Sequence, residues 1–236
     1  MEVERLRSVG CTTLRDTLMR AHDERSPMRA VVIVAGGRSM RFGDRDKVTA
    51  DLADVPMIRR VADRLAGVVD TLVVNCRTDQ MDAIATALAG LDARYTTDTD
   101  PDRGPAAGIR TGLDFVRAEQ PAIEYAAVVA ADMPLVDPRF VSHLFDRAAG
   151  HDAAIPRSDG RLQPLQAVYR VDATADACAA ALSRDERRVT AAVADLDRVV
   201  IEEQELREHA DTATLTNVNT RAEIAALTDR FADQAE

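Results

Sequence analysis

Lysine is almost absent from this chain of 236 residues: one of its 30 basic residues is a lysine, Lys47, and the others are arginines. The 40 acidic residues give it a formal net charge of −10. A surface this acidic repels nucleic acid, so we expect no nucleic-acid partner. Because hydrated carboxylates keep a protein soluble in concentrated salt, the composition also predicts a halophilic protein, more stable in molar KCl than at low salt.

Other absences exclude further classes of protein. There is no run of about eighteen apolar residues to span a membrane. The three cysteines, Cys11, Cys76 and Cys178, are far apart and form no C-x-x-C pair, which indicates reduced thiols in a cytoplasmic protein. The four histidines lack metal-ligand spacing. Residues 1–27 lack the apolar core of a signal peptide, and we interpret them as an N-terminal extension, helical or disordered, or as a mis-called start.

From residue 28 onward, strand-like runs alternate with helical patterns, which predicts one α/β domain over residues 28–236 with a mostly parallel sheet. Helices are expected to begin near Pro56, Met81, Pro105, Pro138 and, at a capping box, Thr220. Further helices are expected between the last three strands. The predicted strands are 30–34, 71–74, 94–96, 125–130, 153–155, 165–169 and 199–201.

A glycine segment follows the first predicted strand and ends at the single lysine. Gly36 and Gly37 allow a sharp turn whose N–H groups can bind phosphate oxygens, and Lys47 lies ten residues after Gly37. Three arginines lie between them, Arg38, Arg41 and Arg45. A solvated loop would explain the glycines alone. The combination with Arg41 and Lys47, after a strand of an α/β sheet, favours a polyphosphate site.

The ends of the other strands carry polar residues that would meet at the same edge of the sheet. Asn75 ends the second strand and could contact a base, although it could equally be a turn former. Asp98 begins the loop after the third strand, ahead of Gly104 and Pro105. Asp132 follows the fourth strand, where a lone carboxylate is a plausible Mg²⁺ ligand or, alternatively, a helix cap.

Five motifs in this order resemble those of the molybdenum cofactor guanylyltransferases, within the nucleotidyltransferase superfamily. The similarity extends from Met28 to the C-terminal end. Gln163–Tyr169 adds to it. The motifs are A-G-G-R-S-x-R-F-G-x-x-x-K from Ala35, V-V-N ending at Asn75, D-x-x-x-x-x-G-P-x-x-G-I from Asp98, A-D-M-P around Asp132 and N-V-N-T from Asn217.

The resemblance implies a three-layer Rossmann-like nucleotidyltransferase fold and transfer of GMP from GTP to the terminal phosphate of Mo-molybdopterin. It implies catalytic roles for Arg41, Lys47 and Asp132, and Mg²⁺ on Asp132 with Asn219, although Asn217 is the alternative. Partners could include other cofactor-biosynthesis proteins and acceptor molybdoenzymes. The implied nucleotide contacts are Val34, Ala35, Gly36, Gly37, Lys47, Asn75, Asp98, Gly104, Pro105, Gly108 and Asp132.

Two departures from the family pattern concern the stretch after the lysine. Val48 stands where a small residue or proline is usual, and residues 49–55 lack the glycine often found before Pro56. The path of this loop is therefore left open. Two other functions also remain open: a related transfer, cytidylyl to molybdopterin or guanylyl to adenosylcobinamide phosphate, and a non-catalytic nucleotide-binding partner of cofactor biosynthesis.

Overall fold

The computed structural model describes residues 27–37, 46–98 and 103–233. Strand β1 (Arg29–Val34) lies in the interior of the main sheet. Val31 and Ile33 project into one apolar layer and Ala30 and Val32 into the other, and all four are 0% exposed. Burial on both faces explains why this run shows no polar alternation.

The main sheet has the strand order β10-β7-β9-β6-β1-β4-β5, with β8 paired to β7. Of the neighbouring pairs along this order, only the two that include β9 are antiparallel. The mostly parallel sheet predicted from the sequence is therefore confirmed. The remaining strands are β2 (Asp51–Leu52), β3 (Val55–Pro56), β4 (Thr71–Cys76), β5 (Ala93–Thr97), β6 (Tyr125–Ala130), β7 (Ala153–Ser158), β8 (Arg161–Leu162), β9 (Gln166–Arg170) and β10 (Arg198–Ile201).

Helices cover both faces of the sheet and complete the predicted three layers. Helices α1 (Met57–Leu65), α2 (Met81–Ala87), α4 (Pro138–Ala148) and α7 (Glu203–His209) pack on one face. The other face is covered by α3 (Pro105–Glu119), α5 (Val171–Ser183) and α6 (Val189–Ala192). None of the helices in the described ranges is long and apolar enough to cross a membrane.

The prediction of a helix between the strands near 153–155 and 165–169 is wrong. The intervening residues form β8, which turns back onto β7 through Asp159 and Gly160, both at positive φ. Because two-residue strands carry almost no periodic signal, the sequence did not reveal this hairpin. It brings β9 back antiparallel to both of its neighbours.

The loop that lacks the family's glycine is a tight hairpin between β2 and β3. Ala53 and Asp54, at its tip, have φ of 48° and 59°, in the left-handed region that favours glycine. The hairpin packs against the last helix, α8 (Arg221–Asp233), in a separate small apolar cluster with Leu52, Met57 and Leu227. This cluster supports the segment that precedes α8.

Candidate functional site

The carboxyl ends of β1, β4 and β6 meet at one edge of the sheet. The amide of Ala35 donates to the carbonyl oxygen of Asn75 (2.8 Å), and the amide of Ala131 donates to the carbonyl oxygen of Val34 (3.0 Å). Three strand ends are therefore fixed relative to one another by backbone hydrogen bonds. Gly36 follows directly, and a Cβ on it would lie 3.7 Å from Asp98 Oδ2 and 3.9 Å from Asn75 Oδ1.

Asn75 and Asp98 form a pair beside Gly36. Asn75 is 0% exposed and its Nδ2 donates to Asp98 Oδ1 at 3.0 Å. Within the described ranges, Asn75 Oδ1 is buried and has no hydrogen-bond partner. A buried polar atom without a partner is costly in a folded protein, so it is a natural place for a ligand donor. The sequence analysis placed Asn75 at the end of the second strand, and β4 in fact extends one residue further, to Cys76.

Two of the predicted glycines lie where neighbouring atoms leave too little room for a larger side chain. A Cβ on Gly108 would lie 2.6 Å from Asn75 Oδ1, so any larger residue at this position would require Asn75 or α3 to shift. Gly104, the N-cap of α3 ahead of Pro105, has φ of 81°, and a Cβ there would lie 3.1 Å from Arg187 Cβ. The first turn of α3 can therefore approach both Asn75 and Arg187 closely.

Lys47 joins two segments that are far apart in sequence. Its Nζ contacts Asp132 Oδ2 at 2.5 Å and Asn219 Oδ1 at 2.9 Å. The amide of Val218 donates to the carbonyl oxygen of Asp132 (2.8 Å), which ties the C-terminal segment to the end of β6. The structure thus brings together Lys47, Asp132 and Asn219, whereas Asn217 is simply exposed.

Asp132 has a second oxygen available for a ligand. Across the described residues, Asp132 Oδ1 is buried without a hydrogen-bond partner. The same residues contain no group of three or more His, Cys, Asp or Glu side chains that could hold a metal ion. One carboxylate with an amide oxygen nearby fits Mg²⁺ that arrives with a nucleotide, since Mg²⁺ uses few protein ligands and several phosphate oxygens.

Arg41, which the sequence predicts to be catalytic, lies outside the described residues, as do Arg38 and Arg45. The glycine loop, residues 36–46, is therefore described at its two ends only: Gly36 and Gly37 at one and Asp46 at the other. Asp46 caps the turn that carries Lys47 by accepting from the amide of Val48.

Sequence reasoning missed two residues that contact this loop. Gln80 is 4% exposed and binds both Ala35 and Asp46, and Arg77 binds Gly37. The hydrogen bonds that the Arg77 guanidinium donates to Asp79 raise the pKa of Arg77, so this side chain stays a cation. The position of Gln80 could have revealed it. Gln80 is a polar residue five positions after Asn75, so it closely follows a strand that ends at the site edge.

A cysteine at the site edge is unsuited to nucleophilic catalysis. Burial, followed by the charge of Asp98, raises the pKa of Cys76 to about 11, so it is a neutral thiol near pH 7. The arrangement instead offers fixed charges and hydrogen-bond donors, which suit the binding and stabilisation of phosphate groups.

Comparisons with known proteins identify the family of this chain. Residues 31–199 match the model of the MobA-like NTP transferase domain. The chain is 49% identical over 203 residues to the "Probable molybdenum cofactor guanylyltransferase" of Natronomonas pharaonis, covering 86% of this chain and 98% of that protein. It is 32% identical over 181 residues to the molybdenum cofactor guanylyltransferase of Rhodopseudomonas palustris, covering 75% and 83%.

Solved structures show the same fold. The crystal structure of molybdopterin-guanine dinucleotide biosynthesis protein A from Archaeoglobus fulgidus matches with a TM-score of 0.72 and 25% identity, over 87% of this chain and 100% of that one. The 4-diphosphocytidyl-2C-methyl-D-erythritol synthase of Anaerococcus prevotii shares the fold at a TM-score of 0.66 and 11% identity, over 87% and 98%. The chain belongs to the MobA-like NTP transferase family and is a nucleotidyltransferase.

Proposed function

We propose that the protein transfers GMP from GTP to the terminal phosphate of Mo-molybdopterin. The names of the relatives support this acceptor and this nucleotide. The observation that carries the proposal is the junction of Lys47, Asp132 and Asn219 at the strand ends, because it offers one cation and two oxygen ligands beside the glycine loop.

The reaction needs no general base from the protein. A phosphate oxygen of the acceptor, already an anion near neutral pH, attacks the α-phosphorus of GTP. The new bond joins that oxygen to the α-phosphorus, and the bond between the α-phosphorus and the oxygen that bridges to the β-phosphorus breaks. Pyrophosphate leaves with the electron pair. Catalysis then depends on positioning and on neutralising charge.

In this proposal Asp132 and Asn219 hold Mg²⁺, which when bound neutralises phosphate charge. The fit rests on the unpartnered Oδ1 of Asp132. Lys47 contacts the other oxygen of Asp132 and the amide oxygen of Asn219. We therefore expect Lys47 to move from these oxygens to the phosphates of GTP, with Arg41 as the second cation on the leaving pyrophosphate. Mg²⁺ without nucleotide should bind weakly, since the ammonium group competes for the same ligands.

The remaining groups are assigned to nucleotide binding. Asn75 and Asp98 present an amide oxygen and a carboxylate to the guanine nucleoside. Pro105 and Gly108 bring the first turn of α3 against it. The backbone from Val34 to Gly37, together with Gly104, completes the proposed contact surface. We also propose a cytoplasmic location, and cofactor-biosynthesis proteins and acceptor molybdoenzymes as partners.

A labelled-nucleotide transfer assay tests this function. The enzyme is incubated with Mg²⁺, Mo-molybdopterin and GTP that carries ³²P in the α or the γ position. We expect the α label to enter the acceptor and the γ label to appear in pyrophosphate. CTP, and adenosylcobinamide phosphate as acceptor, serve as the matched alternatives. Faster transfer with either alternative would overturn the proposed substrates, and no transfer with any pair would favour a non-catalytic partner.

A further inference from the structure

Two side chains from one turn hold both ends of the glycine loop. The turn, residues 77–80, follows β4 and leads into α2. Its side chains reach Ala35 and Gly37 at the start of the loop and Asp46 at its end. Since Asp46 caps the turn that carries Lys47, these contacts connect the phosphate-facing backbone to the lysine.

Every polar atom of the Gln80 amide is used. Its Oε1 accepts from the backbone amide of Arg77 at 2.9 Å, which fixes the orientation of the group. Its Nε2 then directs two hydrogens at two acceptors: the carbonyl oxygen of Ala35 at 3.2 Å, and Asp46 Oδ2. A buried amide with all its hydrogen bonds made is rigid, and loss of a hydrogen bond leaves a buried polar atom unsatisfied.

The charged side chain of Arg77 contacts the same two ends of the glycine loop. Its Nη1 donates to the carbonyl oxygen of Gly37 at 3.1 Å, and its guanidinium lies 3.7 Å from Asp46 Oδ2. Asp79 holds the guanidinium in place through Nε at 2.9 Å. The side chain is 17% exposed, so these contacts are only partly screened by solvent.

We infer that Gln80 and Arg77 are positioning residues of the transfer reaction: by clamping the two described ends of the glycine loop, they set where the N–H groups of Gly36 and Gly37 and the ammonium group of Lys47 meet the triphosphate. The inference rests on the proposed binding of GTP at this loop. A displacement of catalytic groups by about 1 Å can cost a hundredfold in rate, so a clamp of this kind should be visible in kinetics.

Two substitutions at Gln80 remove the clamp in different ways. Gln80→Met keeps the buried volume but makes none of the three hydrogen bonds. Gln80→Glu keeps the acceptor for Arg77 and places a carboxylate against Asp46 and the Ala35 carbonyl. We expect KM and Kd for GTP to rise about tenfold in Gln80→Met and further in Gln80→Glu. A purely structural role would lower the Tm and leave KM and Kd of the folded enzyme unchanged.

Exchange of the donor and the acceptor tests the hydrogen bond between Gln80 and Asp46 directly. Asp46→Asn can still cap the turn through its amide oxygen, and its amide nitrogen can donate to a glutamate at position 80. The double variant Gln80→Glu with Asp46→Asn should therefore bind GTP more tightly than Gln80→Glu alone. If the effects of the two single changes on the Kd for GTP simply multiply in the double variant, positions 46 and 80 are not coupled. The proposed clamp is then wrong.

Arg77 has a close structural match elsewhere in the chain. Arg59 on α1 also donates through Nε to a carboxylate, Asp63 (2.8 Å), and through Nη1 to a backbone carbonyl oxygen, that of Ala89 (2.9 Å). We expect Arg77→Lys to raise KM for GTP about fivefold and Arg59→Lys to leave it unchanged. Equal effects of the two changes would overturn the inference for Arg77.

Calorimetric titration of each variant with GTP and Mg²⁺ separates the possible failures. If the wild-type enzyme does not bind GTP, the proposed function fails. If the wild type binds GTP and the Gln80 and Arg77 variants bind it equally well, the clamp alone fails. If the Gln80 and Arg77 variants bind GTP more weakly and Arg59→Lys binds it normally, both the proposed function and the clamp are supported.

Discussion

The site is supported by two regions that differ in burial and in attachment. The β4 turn region, residues 75–80, contributes Asn75 and Gln80, which are 0% and 4% exposed. The C-terminal segment, residues 216–220, contributes Asn219, which is exposed. The first comprises the end of β4 in the central sheet and the turn that follows it, whereas the second docks through the backbone hydrogen bond from Val218 to Asp132.

This difference indicates a division of labour. Buried, hydrogen-bonded amides are fixed before the ligand arrives, so the β4 turn region suits shape and base contacts that should not move. An exposed amide on a docked segment can exchange partners at low cost. Lys47 touches the second region, and we expect its contacts to change when GTP binds. The predictions below begin at this junction and proceed to smaller effects.

Removal of Lys47 should have the largest effect. Lys47→Ala deletes a preorganised cation at the proposed pyrophosphate, and we expect a loss of about 2–4 kcal/mol of transition-state stabilisation, measured as kcat/KM for GTP. Lys47→Arg, which keeps the charge but changes its shape, should lose less. Near-normal turnover in Lys47→Ala would contradict the site assignment.

An added methyl group at Gly108 should disturb the rigid region next. Its Cβ would lie 2.6 Å from Asn75 Oδ1, so Asn75 or α3 must shift, at a cost of about 1–3 kcal/mol. We expect weaker GTP binding in Gly108→Ala, measured by titration calorimetry. Gly67→Ala is the matched control, because a Cβ at Gly67 has no atom within 4 Å among the described residues. If Gly108→Ala and Gly67→Ala bind GTP equally well, the close approach of α3 to Asn75 is not needed for binding.

The exposed region should tolerate change better. Asn219→Ala removes one hydrogen bond to Lys47 and the proposed metal oxygen, and we expect a loss of about 1 kcal/mol in kcat/KM together with a higher Mg²⁺ requirement. Asn217→Ala should leave both unchanged. If Asn217→Ala instead raises the Mg²⁺ requirement, the choice between the two asparagines is reversed.

The last prediction concerns the support of the C-terminal segment and affects stability but not turnover. Ala53 has φ of 48° at the tip of the β2–β3 hairpin, and its amide donates to Thr228 Oγ1 of α8 at 3.3 Å. Ala53→Gly should raise the free energy of unfolding by about 1 kcal/mol, because glycine adopts this conformation without strain. Denaturant titration measures the change, and GTP turnover should stay the same. If Ala53→Gly lowers the free energy of unfolding, the backbone of Ala53 is not strained.

The two regions also differ in how far the sequence predicted them. Asn75 lies near the end of one apolar strand and Asp132 follows another, so their place at one sheet edge could be inferred. The capping box of Thr220 with Glu223 correctly located the last helix. Gln80 acts through contacts with residues more than 30 positions away, which no local pattern encodes.

The elements that the sequence did not predict were short or irregular. The β2–β3 and β7–β8 hairpins contain strands of two residues, too short for a period-two pattern. The first of them also turns through Ala53 and Asp54 rather than glycine, so its usual turn signal is missing. The roles of Arg41 and of residues 1–26, outside the described residues, remain predictions.

The single lysine permits a direct test of the proposed change at the junction. Enzyme grown with ¹³C,¹⁵N-lysine should give one side-chain Cε–Nζ correlation in an NMR spectrum, since Lys47 is the only lysine. We expect this signal to shift on addition of GTP with Mg²⁺, and to shift little with Mg²⁺ alone. An unchanged signal at saturating GTP and Mg²⁺ would contradict the transfer of Lys47 from Asp132 and Asn219 to the phosphates.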